Sequence, residues 1–273
     1  MNTSGAGYPL GSDPAELERL TRQGTLLATA TRTILDAGGI RPGMRVLDLG
    51  SGTGEVAFIA ADLVGVSGQV IGVDRSPDAL AAARERAQRQ GLGNVAFVEG
   101  DVHDAVAGGP FDAVVERFVL MYFPDPSAVL RNQAKVLRKG AVAVPIEFDL
   151  PGARTIPQTP LAGQVLSWIT ACFERSGIHT SLGPRLWTIV REAGFRPLGM
   201  MGIQPHFGPD DLGGPALLAG IVRTTQPLIE RTGVATAEEI MVDTLEARLT
   251  AELRARGAVL AHPALLSAWG TLD

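Results

Sequence analysis

Short apolar runs alternate with stretches of helical periodicity between residues 41 and 149. Each apolar run is nearly continuous, which is typical of a strand buried on both faces of a parallel sheet. Strands alternating with helices predict an α/β fold with a doubly wound, mostly parallel sheet. The predicted strands are residues 44–49, 69–73, 95–98, 112–115 and 141–148.

The linking helices carry recognisable start and stop signals. Ser76 and Pro77 supply a capping residue and a proline at the first helical position, and Gly91 ends the same helix. Residues 126–137 have a helical pattern. The basic pair at 138–139 follows it and would suit the negative end of a helix dipole.

Two further regions flank this core. Residues 1–40 have a helical pattern, whereas residues 151–273 begin with a Pro/Gly-rich stretch and continue as helices, chiefly over 215–256, broken by strand-like pieces such as 195–203. We expect a cofactor-binding core over 41–150, with both extensions wrapping it as one compact domain. The remaining strands of the sheet are expected in residues 151–273.

Composition narrows the possible partners. The 273-residue chain is 45% apolar and carries a formal charge of −5, which argues against a nucleic-acid or anionic-membrane surface. Cys172 is the only cysteine, and the four scattered histidines form no pair at metal-ligand spacing, so no metal site is predicted. Without a secretory signal or a bilayer span, the expectation is a soluble protein of the cytoplasm.

The most informative segment is a strand that runs into closely spaced glycines, VLDLGSGTG at 46–54. A phosphate-binding loop would need Lys-Ser/Thr after the last glycine, where Glu55-Val56 stands. A dinucleotide fingerprint would need glycine at position 55, and the Glu55 carboxylate would repel a pyrophosphate. The pattern therefore favours a nucleoside ligand without phosphate over a turn used only for packing.

Acidic residues stand at the ends of the next two strands. Asp74, 20 residues after Gly54, can accept hydrogen bonds from both hydroxyls of a ribose, or can serve as a turn or capping residue. In the segment 99–102 (EGDV), the Asp101 side chain and a backbone N–H could read an adenine edge. Ligands bind at these strand ends in doubly wound sheets.

With these motifs the sequence resembles the class I S-adenosylmethionine-dependent methyltransferases, most of all small-molecule enzymes related to the quinone-biosynthesis C-methyltransferases. VLDLGSGTG, VIGVD, EGD, FDAVVERFVLMYFPDP and VLRKGAVAVPIEFD carry the resemblance over about 41–149. It implies a Rossmann-like methyltransferase fold with a helical N-terminal lid, and S-adenosylmethionine as cofactor. The implied cofactor residues are Gly50, Gly52 and Gly54 at the methionine and ribose portion, with Asp48 and Arg75 beside them; Asp74 at the ribose; Asp101 and Val102 at the adenine; Glu116 or Arg117 at the methionine end; and Tyr8 and Gln23 in the lid.

The sequence departs from the family pattern at three positions. Tyr122 stands where many relatives have histidine, so no catalytic histidine is carried over to that loop. Ala141 replaces a usual glycine. Pro145 interrupts the fifth strand and removes a ladder donor, which predicts distortion of the strand or pairing on one side only.

Methyl transfer from a sulfonium needs positioning more than covalent help, and needs a base only if a proton must leave the acceptor. The catalytic candidates are His103, Glu147 and Tyr122, with His179 and His206 as weaker ones. The alternative interpretations are a surface position for His103 and a structural carboxylate for Glu147.

Apolar and aromatic residues around the predicted cavity mouth favour a small, largely apolar acceptor, methylated on carbon or oxygen and plausibly of secondary metabolism. Residues 151–273 would then form the acceptor-selecting cap. One alternative is a cofactor-binding protein that catalyses a non-transfer reaction such as cyclisation. Glu55 disfavours a nicotinamide-dependent oxidoreductase, and the net charge disfavours a nucleic-acid methyltransferase. The mouth residues are Phe118, Met121, Tyr122, Phe123, Phe148, Trp168, Phe173, Trp187, Met200 and Met201, at least half of them expected in the core.

Overall fold

The computed structural model describes residues 14–273, with the side chains of residue 21 and residues 23–273. The expected α/β fold is confirmed: a seven-stranded sheet has the order β3-β2-β1-β4-β5-β10-β7, and only β10 runs antiparallel to its neighbours. A small antiparallel sheet has the order β6-β9-β8. The strands are β1 (Arg45–Leu49), β2 (Gln69–Asp74), β3 (Val95–Glu99), β4 (Phe111–Arg117), β5 (Leu137–Asp149), β6 (Arg154–Ile156), β7 (Arg196–Ile203), β8 (His206–Phe207), β9 (Val259–Ala261) and β10 (Ala264–Thr271).

Helices cover both faces of the large sheet. On one face Leu27 and Ile34 of α1 pack with Val56 of α2 and Leu80 of α3. On the other face the helices from α4 onward build a second apolar cluster with the sheet. The helices are α1 (Pro14–Ala37), α2 (Glu55–Val64), α3 (Pro77–Arg89), α4 (Pro126–Ala134), α5 (Pro160–Arg175), α6 (Leu186–Glu192), α7 (Gly213–Arg231), α8 (Ala237–Ile240) and α9 (Val242–Arg256).

Local signals set the start of α3 correctly. The Ser76 hydroxyl accepts a hydrogen bond from the backbone N–H of Ala79 at 3.2 Å, and Pro77 is the first helical residue. The capping prediction is therefore confirmed, and the cap fixes the chain directly after Asp74 at the end of β2.

The predicted end of α4 is wrong. The helix ends at Ala134, and Leu137 already pairs with Phe111 of β4. Arg138 does not interact with a helix terminus but forms an ion pair with Asp112 at 2.6 Å. Strand pairing with β4 thus overrides the helical periodicity of residues 135–137.

Pro145 has the predicted effect on β5. It pairs with Glu116 of β4 on one side, whereas the ladder to β10 passes from Ile146 to Ala143 without it. In the described part of the chain, no helix is long and apolar enough to cross a membrane.

Candidate functional site

A cavity of about 530 Å³ lies at the carboxyl ends of β1, β2, β4 and β5. Its polar end is formed by the loop between β1 and α2, the end of β2 and the turn after β3. Its other end is apolar and is closed by α5, α7 and the connection between β9 and β10. Gln23 of α1, which is 7% exposed, also lines the cavity.

The glycine loop forms one wall of the polar end. Gly52 has a φ of +50°, and a Cβ there would point into open space, so the backbone is bare toward the cavity. Ser51 and Thr53 line the same wall, and their buried hydroxyl oxygens find no hydrogen-bond partner among the described residues. Gly54 does not line the cavity as expected. Its φ is +90°, and it packs against the ring of Phe58.

Asp74 is held in place by this loop. Its Oδ2 accepts a hydrogen bond from the N–H of Gly52, and its Oδ1 accepts one from the N–H of Ser76, both at 2.9 Å. A carboxylate has about four lone-pair sites, so each oxygen keeps one for a ligand hydroxyl. The side chain is therefore oriented for a diol at the cavity wall.

The N-terminus of α2 carries a carboxylate, that of Glu55, which disfavours binding of an anion there. Glu55 lines the cavity and forms an ion pair with Arg86, which also donates to the Thr53 carbonyl at 2.7 Å. A phosphate at this helix end would meet the Glu55 carboxylate, so the geometry suits an uncharged nucleoside portion.

The turn after β3 lines the cavity with Gly100, Asp101 and Val102. Asp101 accepts a hydrogen bond from the N–H of His103 at 2.8 Å, and Gln133 of α4 donates to the Val102 carbonyl at 2.8 Å. The structure does not bring the His103 side chain into the cavity. It is exposed and lies edge-on to the Phe123 ring, which leaves no geometric support for a catalytic role.

The two residues at the end of β4 point to different places. Arg117 lines the cavity and donates to the Thr31 hydroxyl of α1 at 2.7 Å, whereas Glu116 is fully buried outside it. Of the two candidates for the methionine end, only Arg117 is in reach. Asp48 is also buried outside the cavity, and burial raises the pKa of its carboxyl against the opposing charge of Arg117.

Glu116 and Glu147 form a buried carboxyl pair beneath the loop that follows β4. Glu116 accepts hydrogen bonds from the N–H groups of Val119 and Ile146, and Glu147 accepts one from Met121, each at 3.0 Å. Burial raises the pKa of Glu116 to about 7 and the pKa of Glu147 well above its usual value.

The two carboxyls disfavour being charged together. The charge of Glu116 adds to burial in raising the pKa of Glu147, and no N–H or O–H of the described residues donates to Oε2 of Glu147. Because Glu147 does not line the cavity, the structure favours the interpretation of a structural carboxylate that holds the loop over a catalytic one.

The apolar end of the cavity is built on stacked rings. Phe118 has a φ of +62°, an uncommon conformation for a bulky residue, and its ring stacks on Phe148 with centroids 3.6 Å apart. Leu166 and Ile169 of α5 and Leu218 of α7 face them. Of the predicted mouth residues, the cavity is lined by Phe118, Met121, Tyr122, Phe123, Phe148 and Phe173, whereas Trp168, Trp187, Met200 and Met201 lie elsewhere.

Of the other candidates, Asp74, Arg75 and Tyr122 line the cavity, and Tyr8 lies outside the described residues. His262 was not among the candidates chosen from the sequence, yet it is 2% exposed and lines the apolar end. No local signal marks it, because a lone His-Pro dipeptide has no motif. Among the described residues, no group of three or more His, Cys, Asp and Glu side chains could hold a metal ion.

Comparison with known proteins agrees with this geometry. Residues 40–175 match the family model described as "Methyltransferase domain". The chain is 40% identical over 114 residues to the arsenite methyltransferase of Aquipseudomonas alcaligenes, covering 39% of this chain and 33% of that protein. It is 35% identical over 122 residues to the ubiquinone/menaquinone biosynthesis C-methyltransferase UbiE of Cellvibrio japonicus, covering 44% and 49%.

This chain carries a class I S-adenosylmethionine-dependent methyltransferase domain. The match to each of these relatives spans half or less of the relative's length. The fold is shared more widely: a putative methyltransferase from Bacillus halodurans superposes with a TM-score of 0.57 at 19% identity, covering 89% of this chain and 98% of that one.

The residues of the methyltransferase domain fit its cofactor, S-adenosylmethionine. The carboxylate of Asp74 suits the ribose hydroxyls, and the hydroxyls of Ser51 and Thr53 lack partners at the bare glycine wall. The turn at 100–102 offers a backbone and a carboxylate beside the apolar Val102 for a purine. No phosphate-binding feature is required.

Proposed function

We propose that this protein transfers a methyl group from S-adenosylmethionine to a carbon or oxygen atom of a small, largely apolar acceptor of the secondary-metabolite kind. One observation carries the proposal: a single cavity joins a polar, nucleoside-type end to an aromatic and aliphatic end. A donor bound at the first end and an acceptor at the second would meet inside one enclosure.

The protein's own part is to bind, orient and exclude water. Asp74, Asp101 and Arg117 would hold the ribose, adenine and methionine portions, and Gln23 of α1 would cover the polar end. The bound cofactor supplies a methyl group on a positively charged sulfur. Holding the acceptor in line with that methyl can supply up to about 7–11 kcal/mol of the barrier, so no covalent help from the chain is needed.

The apolar end supports an organic acceptor. Its walls are Phe118, Phe148 and side chains of α5 and α7, and the parts contributed by residues 151–273 make this region the proposed acceptor-selecting cap. Tyr122 is the only one of the three catalytic candidates that lines the cavity. We propose it as a contact to the acceptor.

Arsenite, the substrate named for one relative, is disfavoured as an acceptor within this chain. Soft ions of this type bind through thiolates. Cys172 is the only cysteine, is fully buried in α5, and has a thiol pKa raised by burial to about 12. It can supply neither a thiolate nor a second ligand.

Calorimetric titration with S-adenosylhomocysteine tests the cofactor site. Replacing Asp74 with asparagine removes the negative charge from the proposed hydrogen bonds to the ribose hydroxyls. We therefore expect the affinity for S-adenosylhomocysteine to fall about tenfold or more. The exposed Asp78→Asn variant on α3 is the matched control and should bind as the wild type does. Absence of binding to the wild type would refute the proposed function.

A product assay then separates transfer from the cyclisation alternative. The wild type is incubated with S-adenosylmethionine and a panel of phenols, enols and quinols, and the product masses are measured by mass spectrometry. Methyl transfer adds one CH2 unit and forms S-adenosylhomocysteine in equal amount. A product of unchanged mass that forms without S-adenosylhomocysteine would contradict methyl transfer and support the cyclisation alternative.

A further inference from the structure

His262 places a polar ring among the aromatic and aliphatic residues that line one end of the cavity. It lies between β9 and β10, beside Phe148, with the ring centroids 5.9 Å apart. The backbone around it is fixed: its N–H donates to the Pro205 carbonyl, and its own carbonyl accepts from the side chain of Gln204, both at 2.9 Å.

The hydrogen bonds of the ring determine its tautomer. Nδ1 lies 2.7 Å from the carbonyl oxygen of Pro263, and a carbonyl can only accept, so Nδ1 carries a proton. Burial lowers the pKa of His262 to about 4, and the ring is therefore neutral near pH 7. Nε2 then has a lone pair and no proton.

That lone pair has no partner in the described part of the chain. Nε2 is buried, finds no donor, and belongs to a ring that lines the cavity. A buried acceptor without a hydrogen bond is unfavourable, and most such groups in proteins are satisfied by the chain, by water or by a ligand. The two rings packed nearest to it, Phe148 and Phe207 with centroids 5.9 and 6.3 Å from that of His262, have no donor to offer.

We propose that Nε2 of His262 accepts a hydrogen bond from a hydroxyl group of the methyl acceptor. The apolar end of the cavity then selects flat, apolar molecules that carry an O–H group, such as phenols or enols, over equally apolar molecules without one. This inference rests on the proposed function and adds to it a specificity residue and a chemical class of acceptor.

Paired probes test the selection. Binding of 1-naphthol and 1-methoxynaphthalene is titrated by probe fluorescence, with and without saturating S-adenosylhomocysteine, in the wild type and in His262→Phe. His206→Phe is the matched control, because His206 lies nearby on β8 but is exposed and outside the cavity. A neutral hydrogen bond is worth about 0.5–1.5 kcal/mol. We expect a preference for 1-naphthol of up to about tenfold in the wild type and in His206→Phe, and a clearly smaller one in His262→Phe.

A measurement on the unmutated protein guards against a variant that fails to fold. In protein labelled with 15N-histidine, long-range correlations should show Nδ1 protonated, and 1-naphthol should shift the Nε2 signal whereas 1-methoxynaphthalene should not. An unmoved Nε2 signal, or an equal preference in wild type and His262→Phe, overturns the inference. Failure of S-adenosylhomocysteine to bind would instead overturn the proposed function. The ratio of the affinities for 1-naphthol and 1-methoxynaphthalene, measured without S-adenosylhomocysteine, would still test the role of His262.

Discussion

Replacing Glu147 with glutamine should change how the stability of the protein depends on pH. In the native structure Glu147 is fully buried, one of its oxygens accepts a hydrogen bond from the N–H of Met121, and the other has no hydrogen-bond partner among the described residues. Glutamine has the same shape. Its carbonyl can keep the bond to Met121, and its amide is uncharged, as the protonated form of Glu147 is.

The magnitude follows from the proton that the pair retains. Above about pH 6 an unfolded glutamate is ionised, whereas the raised pKa of Glu147 favours its protonated form in the native state. The native state then binds more protons than the unfolded state, so its stability falls as the pH rises toward the native pKa, and one retained proton contributes at most about 1.4 kcal/mol per pH unit. Glu147→Gln removes the contribution of this carboxyl, so its unfolding free energy should rise relative to that of the wild type as the pH increases from 6 to 8, by at most about 1.4 kcal/mol per pH unit.

Urea unfolding followed by circular dichroism at four or five pH values measures the effect. Glu246→Gln on the exposed face of α9 serves as the control and should run parallel to the wild type. Parallel curves for Glu147→Gln and the wild type would refute the raised pKa of the buried Glu147 carboxyl. Unchanged binding of S-adenosylhomocysteine to the variant would separately confirm that Glu147 supports the loop from outside the cofactor site.

Three further predictions concern other parts of the molecule. Gly52→Val forces a side chain into the cofactor end at a φ of +50°, and calorimetry should show S-adenosylhomocysteine binding lost, whereas Gly93→Ala in an exposed turn should bind normally. His262 is buried with a pKa of about 4, so on acidification from pH 6.5 to 4 the unfolded histidine takes up a proton before the native one does, and the native state loses stability. In urea unfolding over that range, His262→Phe should therefore lose about 3 kcal/mol less stability than the wild type. Cys172 should not react with a thiol reagent at pH 8 until the protein is unfolded, when one equivalent reacts; rapid reaction in the native state would contradict its burial.

The first half of the fold was predictable because its signals are local. Each strand from β1 to β5 is an apolar run between turn residues, and the observed bounds differ from the predicted ones chiefly at the strand ends. The exceptions have one cause. Leu137 joins β5, and Ala264–Thr271 forms β10, because neighbouring strands pair with them, and a partner strand is not visible in the segment itself.

The candidate site divides in the same way. Gly52, Asp74 and Asp101 follow consecutive strands, so a parallel topology was enough to bring them together. Gly54 and Glu116 are each adjacent in sequence to a cavity-lining residue, yet they face the packed interior. Side-chain direction at the end of a strand depends on the exact turn, which spacing alone does not specify.

The sequence by itself determined the α/β core, the polar end of the cavity and the kind of ligand it suits, because glycines and acids act there through the backbone that immediately surrounds them. Only the tertiary structure decided which side chains close the other end, and in which protonation state. His262 reaches the cavity from the end of the chain, and Glu147 is covered by the loop after β4. The lowered pKa of His262 and the raised pKa of Glu147 both result from desolvation. Desolvation depends on atoms that distant segments bring together and not on the residue's own neighbours in sequence.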